Sequence, residues 1–122
     1  MARLSRWLDR QEQRLALPGT VAHAVRMCLE EAVVNLIDHT LPTSEGPEIA
    51  VGLAWQGNVV VAVIEDCGPP FDPRTIPPPK RPASLDEAMP GGLGILFIRS
   101  FASDIDYASV AGRNRLTLRF AP

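Results

Sequence analysis

Three short groups of residues in this sequence have types and spacings that could do chemistry. In EEAVVNLIDH, Glu31 and Asn35 stand four apart, which on a helix places one a turn above the other. An Asn side-chain oxygen is a neutral hard ligand suited to Mg²⁺. A carboxylate one turn earlier can accept a proton from a hydroxyl or a water. His39 continues the same line. In the second group, Asp66-Cys67-Gly68 closes an apolar run. A carboxylate there can accept a hydrogen bond from an exocyclic amine, and Gly68 lacks the Cβ that would hold a ring off the backbone. In the third, Gly91-Gly92-Leu93-Gly94 leads into a helical pattern. Backbone N–H groups at such a helix start, together with the helix dipole, favour an anion such as phosphate. Each group also has an ordinary reading on its own: a solvated helix edge, an Asx turn, a flexible approach to a helix.

The elements that must carry these groups follow from periodicity. Residues 3–16 predict a helix with Leu4, Trp7, Leu8 and Leu15 on one face, stopped at Pro18-Gly19. Residues 20–40 predict a long helix with Thr20 as N-cap. Its apolar stripe is Val21, Ala24, Val25, Cys28, Leu29, Ala32, Val33, Leu36 and Ile37. Residues 48–56 and 58–65 predict a hairpin turning at Gln56-Gly57-Asn58, and 104–110 and 114–120 a second one around Ala111-Gly112-Arg113. The 58–65 strand is apolar on both faces, so it is expected to be central and covered by helices. Residues 66–90 hold eight of the twelve prolines and predict a long functional loop. Residues 91–103 predict a glycine-led helix. The order points to an α/β two-layer sandwich: a mostly antiparallel sheet with helices packed on one face.

Composition bounds the function. A chain of 122 residues is expected to be a single domain spanning 1–122, and an apolar fraction of 46% predicts a globular core. The net charge of −2 gives no electrostatic footprint for nucleic acid, so no direct nucleic-acid contact is expected. Cys28 and Cys67 have no CxxC spacing and predict neither a disulfide framework nor a zinc site. No leader or membrane-length apolar run is visible, so a cytoplasmic protein is expected. The P-loop pattern GxxxxGK[ST] is missing, and GGLG does not follow a strand of a βαβ unit, which argues against a Rossmann site.

Taken in order, the three groups resemble the N-box (Glu31 to Asn35) and the two glycine boxes (Asp66 to Gly68, Gly91 to Gly94) of the gyrase, chaperone and histidine-kinase ATPase superfamily. Its nucleotide site is the Bergerat fold. Within it, EEAVVNLIDH, DCGPPFDP, GGLGILFIRSFASDIDY and NRLTLRF look most like the serine-protein kinases that act as anti-sigma factors. The likeness covers roughly residues 20–120. It implies an ATP site with Mg²⁺ on Asn35, Glu31 as general base, Asp66 on the adenine amine with Gly68 beside the ring, and Gly92 and Gly94 on the phosphates. Residues 72–90 would be the ATP lid, and 1–17 a leading helix. It also implies two partners, a sigma factor and a STAS-type antagonist phosphorylated on serine or threonine, and a homodimer. A non-catalytic ATP-binding switch module is the alternative reading. Two features depart from the pattern. Pro70 stands where the family has a second glycine, and the family's first edge strand has no counterpart ahead of the first helix. The expectation is a sheet one strand short, or an edge covered by a partner.

Overall fold

A computed structural model of the chain describes residues 2–40, 49–70, 72, 74 and 98–122, for 38–40 the backbone alone. Two helices come first, α1 (Ala2–Arg14) and α2 (Gly19–Thr40). Four strands follow: β1 (Ala50–Gln56), β2 (Val59–Asp66), β3 (Asp104–Val110) and β4 (Arg113–Phe120). A single helical turn at 98–101 precedes β3; the rest of the helix expected over 91–103 lies mostly outside the described residues. The strands form one sheet in the order β1-β2-β4-β3, antiparallel throughout. The helices lie on one face, with α2 over β2 and β4 and α1 against α2. The two-layer sandwich expected of the sequence is the fold that forms.

The apolar stripe of α2 makes one half of the core. Val21, Ala24, Val25, Cys28, Leu29, Ala32 and Val33 are all buried, while Leu36 is half-buried at the stripe's end. The other half comes from alternate residues of the strands: Leu53 of β1, Val60, Ala62 and Ile64 of β2, and Leu118 and Phe120 of β4. Burial alternates along β2 from Val59 to Asp66, half-buried then buried. This corrects one expectation. The strand is central, but among the described residues helices cover only the face of Val60, Ala62 and Ile64. Val59, Val61 and Val63 point to the other face, beside Gly52 and Ala54 of β1, and are half-buried. Burial pushes the Cys28 thiol up to about 12, so it behaves as a small neutral hydrophobe.

Helix boundaries differ slightly from the sequence reading. The Pro18 carbonyl accepts the N–H of Ala22 at 2.8 Å, so Pro18 occupies the N-cap position and Thr20 falls inside the first turn. At the other junction, Leu17 N–H donates to the Glu12 carbonyl and Ala16 N–H to that of Gln13. That is a Schellman motif with Ala16, at φ 49°, where glycine is usual. Arg26 of α2 then locks the helix pair through Asp9, Glu12 and the Ser5 hydroxyl of α1. The end of α1 also covers the β1 edge. The indole N–H of Trp55 donates to the Leu15 carbonyl at 2.8 Å, and Arg14 reaches the Leu53 carbonyl at 3.4 Å. A free strand edge is thereby partly closed by the chain itself.

Both hairpins close through two-residue loops, since Gln56 pairs with Val59 and Val110 with Arg113. In the second loop Ala111 and Gly112 have φ 55° and 76°, the two left-handed residues of a type I′ turn. An alanine in that region is strained by its Cβ. Ala16→Gly and Ala111→Gly are each expected to stabilise by about 0.5–1 kcal/mol, strain relief outweighing the extra freedom of glycine in the unfolded chain. Thermal unfolding checks this: a lowered midpoint in both variants would show that neither alanine is strained.

Candidate functional site

The end of β2 and one edge of α2 face each other across a cleft. Ala32, Asn35 and Leu36 form the helix side; Ile64 and Asp66 the strand side; Ile98, Tyr107 and Leu116 complete the wall. The enclosed space between these side chains is small, about 30 Å³, and it opens to solvent at its mouth. Most of the lining is apolar, with polar atoms at a few points, as in small-molecule sites generally. Two of those points are unusual for their burial, because Asn35 and Asp66 are each only 5% exposed. The fold thus brings together two residues, 31 positions apart, that the sequence singled out separately. Among the described residues, the Asn35 side chain has no hydrogen-bond partner, so its amide is available to whatever enters the cleft.

Asp66 is held from two directions. Its Oδ2 accepts the Gly68 backbone N–H at 2.9 Å, which is an Asx turn. The same oxygen accepts Nδ2 of Asn114 at 3.2 Å. Asn114 Nδ2 also donates to the Gly68 carbonyl at 2.9 Å, and Asn114 Oδ1 accepts the Ser109 hydroxyl at 2.7 Å. The Asx turn that the sequence allowed as an ordinary alternative is therefore present, and the carboxylate lines the cleft as well. Asn114 was not foreseen. It sits opposite Asp66 in the β2–β4 register and is 2% exposed. A cue existed: in Asn114-Arg-Leu-Thr-Leu-Arg-Phe120 it takes an inward position of the alternation whose other members are Leu116, Leu118 and Phe120. A polar residue at an inward position demands partners. Tyr107 was missed for the same reason, since only the pairing of β3 with β4 brings it to the cleft wall.

The remaining expected residues divide. Glu31 is half-buried on α2, one turn from Asn35, but outside the cleft wall. Glu30 lies 3.9 Å from Arg26 and so belongs to the α1–α2 side. Gly92 and Gly94, the side chain of His39 and all of 72–90 except Asp72 and Arg74 lie outside the described residues. Those two are tied down. Arg74 is chelated by the Asp72 carboxylate and reaches the Tyr107 carbonyl, while its own carbonyl accepts Arg99 at 2.9 Å. The Arg74 guanidinium holds the Asp72 carboxyl below its usual range. Among the described residues there is no cluster of three His, Cys, Asp or Glu side chains, and no helix is long and apolar enough to cross a membrane.

The histidine kinase-like ATPase domain family matches residues 1–120. The chain belongs to this family. It is also 30% identical to a serine/threonine-protein kinase, BtrW, of Bordetella bronchiseptica, over 92% of this chain and 79% of that protein. Solved structures agree on the fold. A blue-light activated histidine kinase of Erythrobacter litoralis superposes with a TM-score of 0.60 at 10% identity, over 85% of this chain and 31% of its own. The histidine kinase AdeS of Acinetobacter baumannii gives 0.55 at 14%, over 82% of this chain and 46% of its own. The chain thus spans about a third to a half of these histidine kinases. In this ATPase family setting, the cleft between α2 and the end of β2 is the candidate nucleotide site.

Cys67 lies between Asp66 and Gly68 and is exposed, whereas Cys28 is buried. In the native protein, Ellman's reagent is expected to titrate one thiol quickly and the second only on unfolding. Mg-ATP should slow the fast reaction. Two equally fast native thiols would contradict the packing of Cys28, and a rate unaffected by Mg-ATP would place the ligand away from Cys67.

Proposed function

We propose that this chain is a kinase-type phosphotransferase acting as an anti-sigma regulator, using Mg-ATP to phosphorylate a serine or threonine on a STAS-type antagonist protein. The observation that carries the reading is the shared cleft of Asn35 and Asp66, two buried polar side chains in a mostly apolar lining. The likeness to a protein named as a serine/threonine-protein kinase supports the reaction class. Asp66 would accept the adenine amine, with Gly68 leaving the ring room beside the backbone. Asn35 would offer its oxygen to Mg²⁺; the remaining ligands of such an ion are phosphate oxygens and waters, which suits a site with one protein oxygen. Bound ATP would supply the γ-phosphoryl group and leave as ADP. Glu31 would take the proton of the attacking hydroxyl, and Gly92 and Gly94 would offer N–H groups to the phosphates. In a partner-switching system the same protein would bind a sigma factor when not engaged with the antagonist, working as a homodimer in the cytoplasm.

One observation favours a second reading, an ATP-binding switch that binds and releases a partner without transferring phosphate. Glu31 stands outside the cleft wall, so the base is one turn removed from the two residues that meet in it. Partner exchange needs only different affinities in two nucleotide states.

Three substitutions separate these readings. Asp66→Asn is expected to weaken ATP binding by about 1–3 kcal/mol, the worth of a buried acceptor in contact with a donor. Glu31→Gln keeps size and hydrogen bonding, so it should retain Mg-ATP binding and slow transfer to the antagonist by ~10²–10⁴-fold. Glu30→Gln, on the Arg26 side, should change neither. Calorimetry and a radiolabel transfer assay read the two quantities. Wild-type transfer rates in Glu31→Gln remove the base assignment, and ATP binding without transfer to any antagonist establishes the switch.

A further inference from the structure

We propose that Asn114 is a positioning residue for base recognition: by occupying one oxygen of Asp66 it commits the other to the nucleobase and so sets the preference for adenine over guanine. The inference rests on the adenine reading of the cleft and goes beyond it, since it assigns selectivity to a residue on a different strand.

The geometry fixes the amide without ambiguity. Nδ2 of Asn114 faces two acceptors, Oδ2 of Asp66 at 3.2 Å and the Gly68 carbonyl at 2.9 Å. An amide oxygen in that place would face two acceptors with no proton to give, so the NH₂ must lie there. The opposite end, Oδ1, is held by the Ser109 hydroxyl at 2.7 Å. Asn114 thus has a defined partner at each end and, at 2% exposure, little freedom to turn. Its effect on Asp66 is specific. Oδ2 receives two donors, Asn114 Nδ2 and the Gly68 N–H at 2.9 Å. That leaves Oδ1 as the acceptor presented to a ligand in the cleft that Asp66 lines.

A fixed acceptor discriminates more sharply than a mobile one. Adenine offers an exocyclic amine that donates to it; guanine offers a carbonyl in the equivalent place, acceptor against acceptor. A carboxylate free to rotate, or to draw a water between itself and the base, could reduce that penalty. One pinned through Oδ2 cannot turn away. The Asn114 amide also holds the Gly68 carbonyl, so the backbone beside the ring and the carboxylate that reads it form one unit. Ser109, at the exposed end, is the outermost member of the network.

The test compares dissociation constants for ATP and GTP by calorimetry on the full chain with Mg²⁺. Wild type is expected to prefer ATP by at least a hundredfold. Asn114→Ala should lose at least tenfold in ATP affinity with GTP affinity unchanged or improved, compressing the ratio tenfold or more. Ser109→Ala, which keeps the buried amide and the fold, should compress it two- to threefold. A role in stability alone would lower the melting temperature of the apoprotein and leave the ATP-to-GTP ratio where it was; that result overturns the proposal while the adenine reading survives. If Asn114→Ala does not fold, an unchanged ratio in Ser109→Ala overturns it equally. A wild type that binds both nucleotides alike, or neither, removes the adenine reading and this inference with it.

Discussion

A carboxylate that is 5% exposed at the end of a central strand must be given partners, and the rest of the site follows from how Asp66 obtains them. Two partners come from different sources. Gly68 N–H is local, two residues on, and costs the chain only a turn. Asn114 is 48 residues away in sequence and arrives through the β2–β4 register, in which Asp66 faces Asn114 directly. A register slip of one residue would send Asn114 to the open face and bring an arginine inward, leaving a buried carboxylate beside a wrongly placed cation. Sheet register and site geometry are therefore one constraint. The apolar alternation of Leu116, Leu118 and Phe120 enforces that register over the strand's length, so ordinary core packing is what aims the polar pair.

The helix layer meets the same demand from the other side. Asn35 lies on the same side of α2 as Ala32 and Leu36, where the core stripe borders the cleft. Ala32 is small, which lets the helix sit close to Ile64 without filling the slot between them. Arg26 sets the attitude of α1 against α2 through Asp9, Glu12 and Ser5, and the Schellman turn at Ala16 delivers the chain back onto the β1 edge. Individually these surface-edge ion pairs contribute little to stability, but several converging on one guanidinium fix a geometry. On this account α1 works through the position it gives α2. The cleft itself touches none of its residues.

Much of this was legible in the sequence because much of it is local. The α2 stripe, the existence of both hairpins, the strand ending at Asp66 and the layered architecture each depend on neighbours within a few residues. Glu31 and Asn35 could be related through one helical turn. What stayed hidden was non-local. Asn114 and Tyr107 join the site only through strand order β1-β2-β4-β3, in which β4 lies between β2 and β3 despite coming last. No short-range pattern contains that crossover. The apolar character of β2 on both faces also misled: it signalled a central strand correctly, yet among the described residues no helix covers the second face, where its valines are half-buried. Pro18 displaced Thr20 as N-cap because its carbonyl accepts the first helical bond, two residues earlier than the hydroxyl pattern suggested.

Recognition and chemistry rest on different kinds of structure here. The groups that would read a base, Asp66, Gly68 and Asn114, are fixed by strand pairing and by hydrogen bonds among themselves. Such a unit is rigid before any ligand arrives, which keeps the ordering cost of binding low. Of the groups that would act on the phosphate side, Asn35 shares the cleft with Asp66, while Glu31 stands one turn away on α2 outside the cleft wall. A kinase works chiefly by positioning and charge neutralisation, so in that reading Glu31 would have to come within reach of the attacking hydroxyl. Nucleotide affinity and phosphoryl transfer can then vary independently in proteins of this architecture. A chain that keeps the strand-built half retains a nucleotide-responsive surface even where the transferring half is altered. The same two-part construction would suit either an enzyme or a switch.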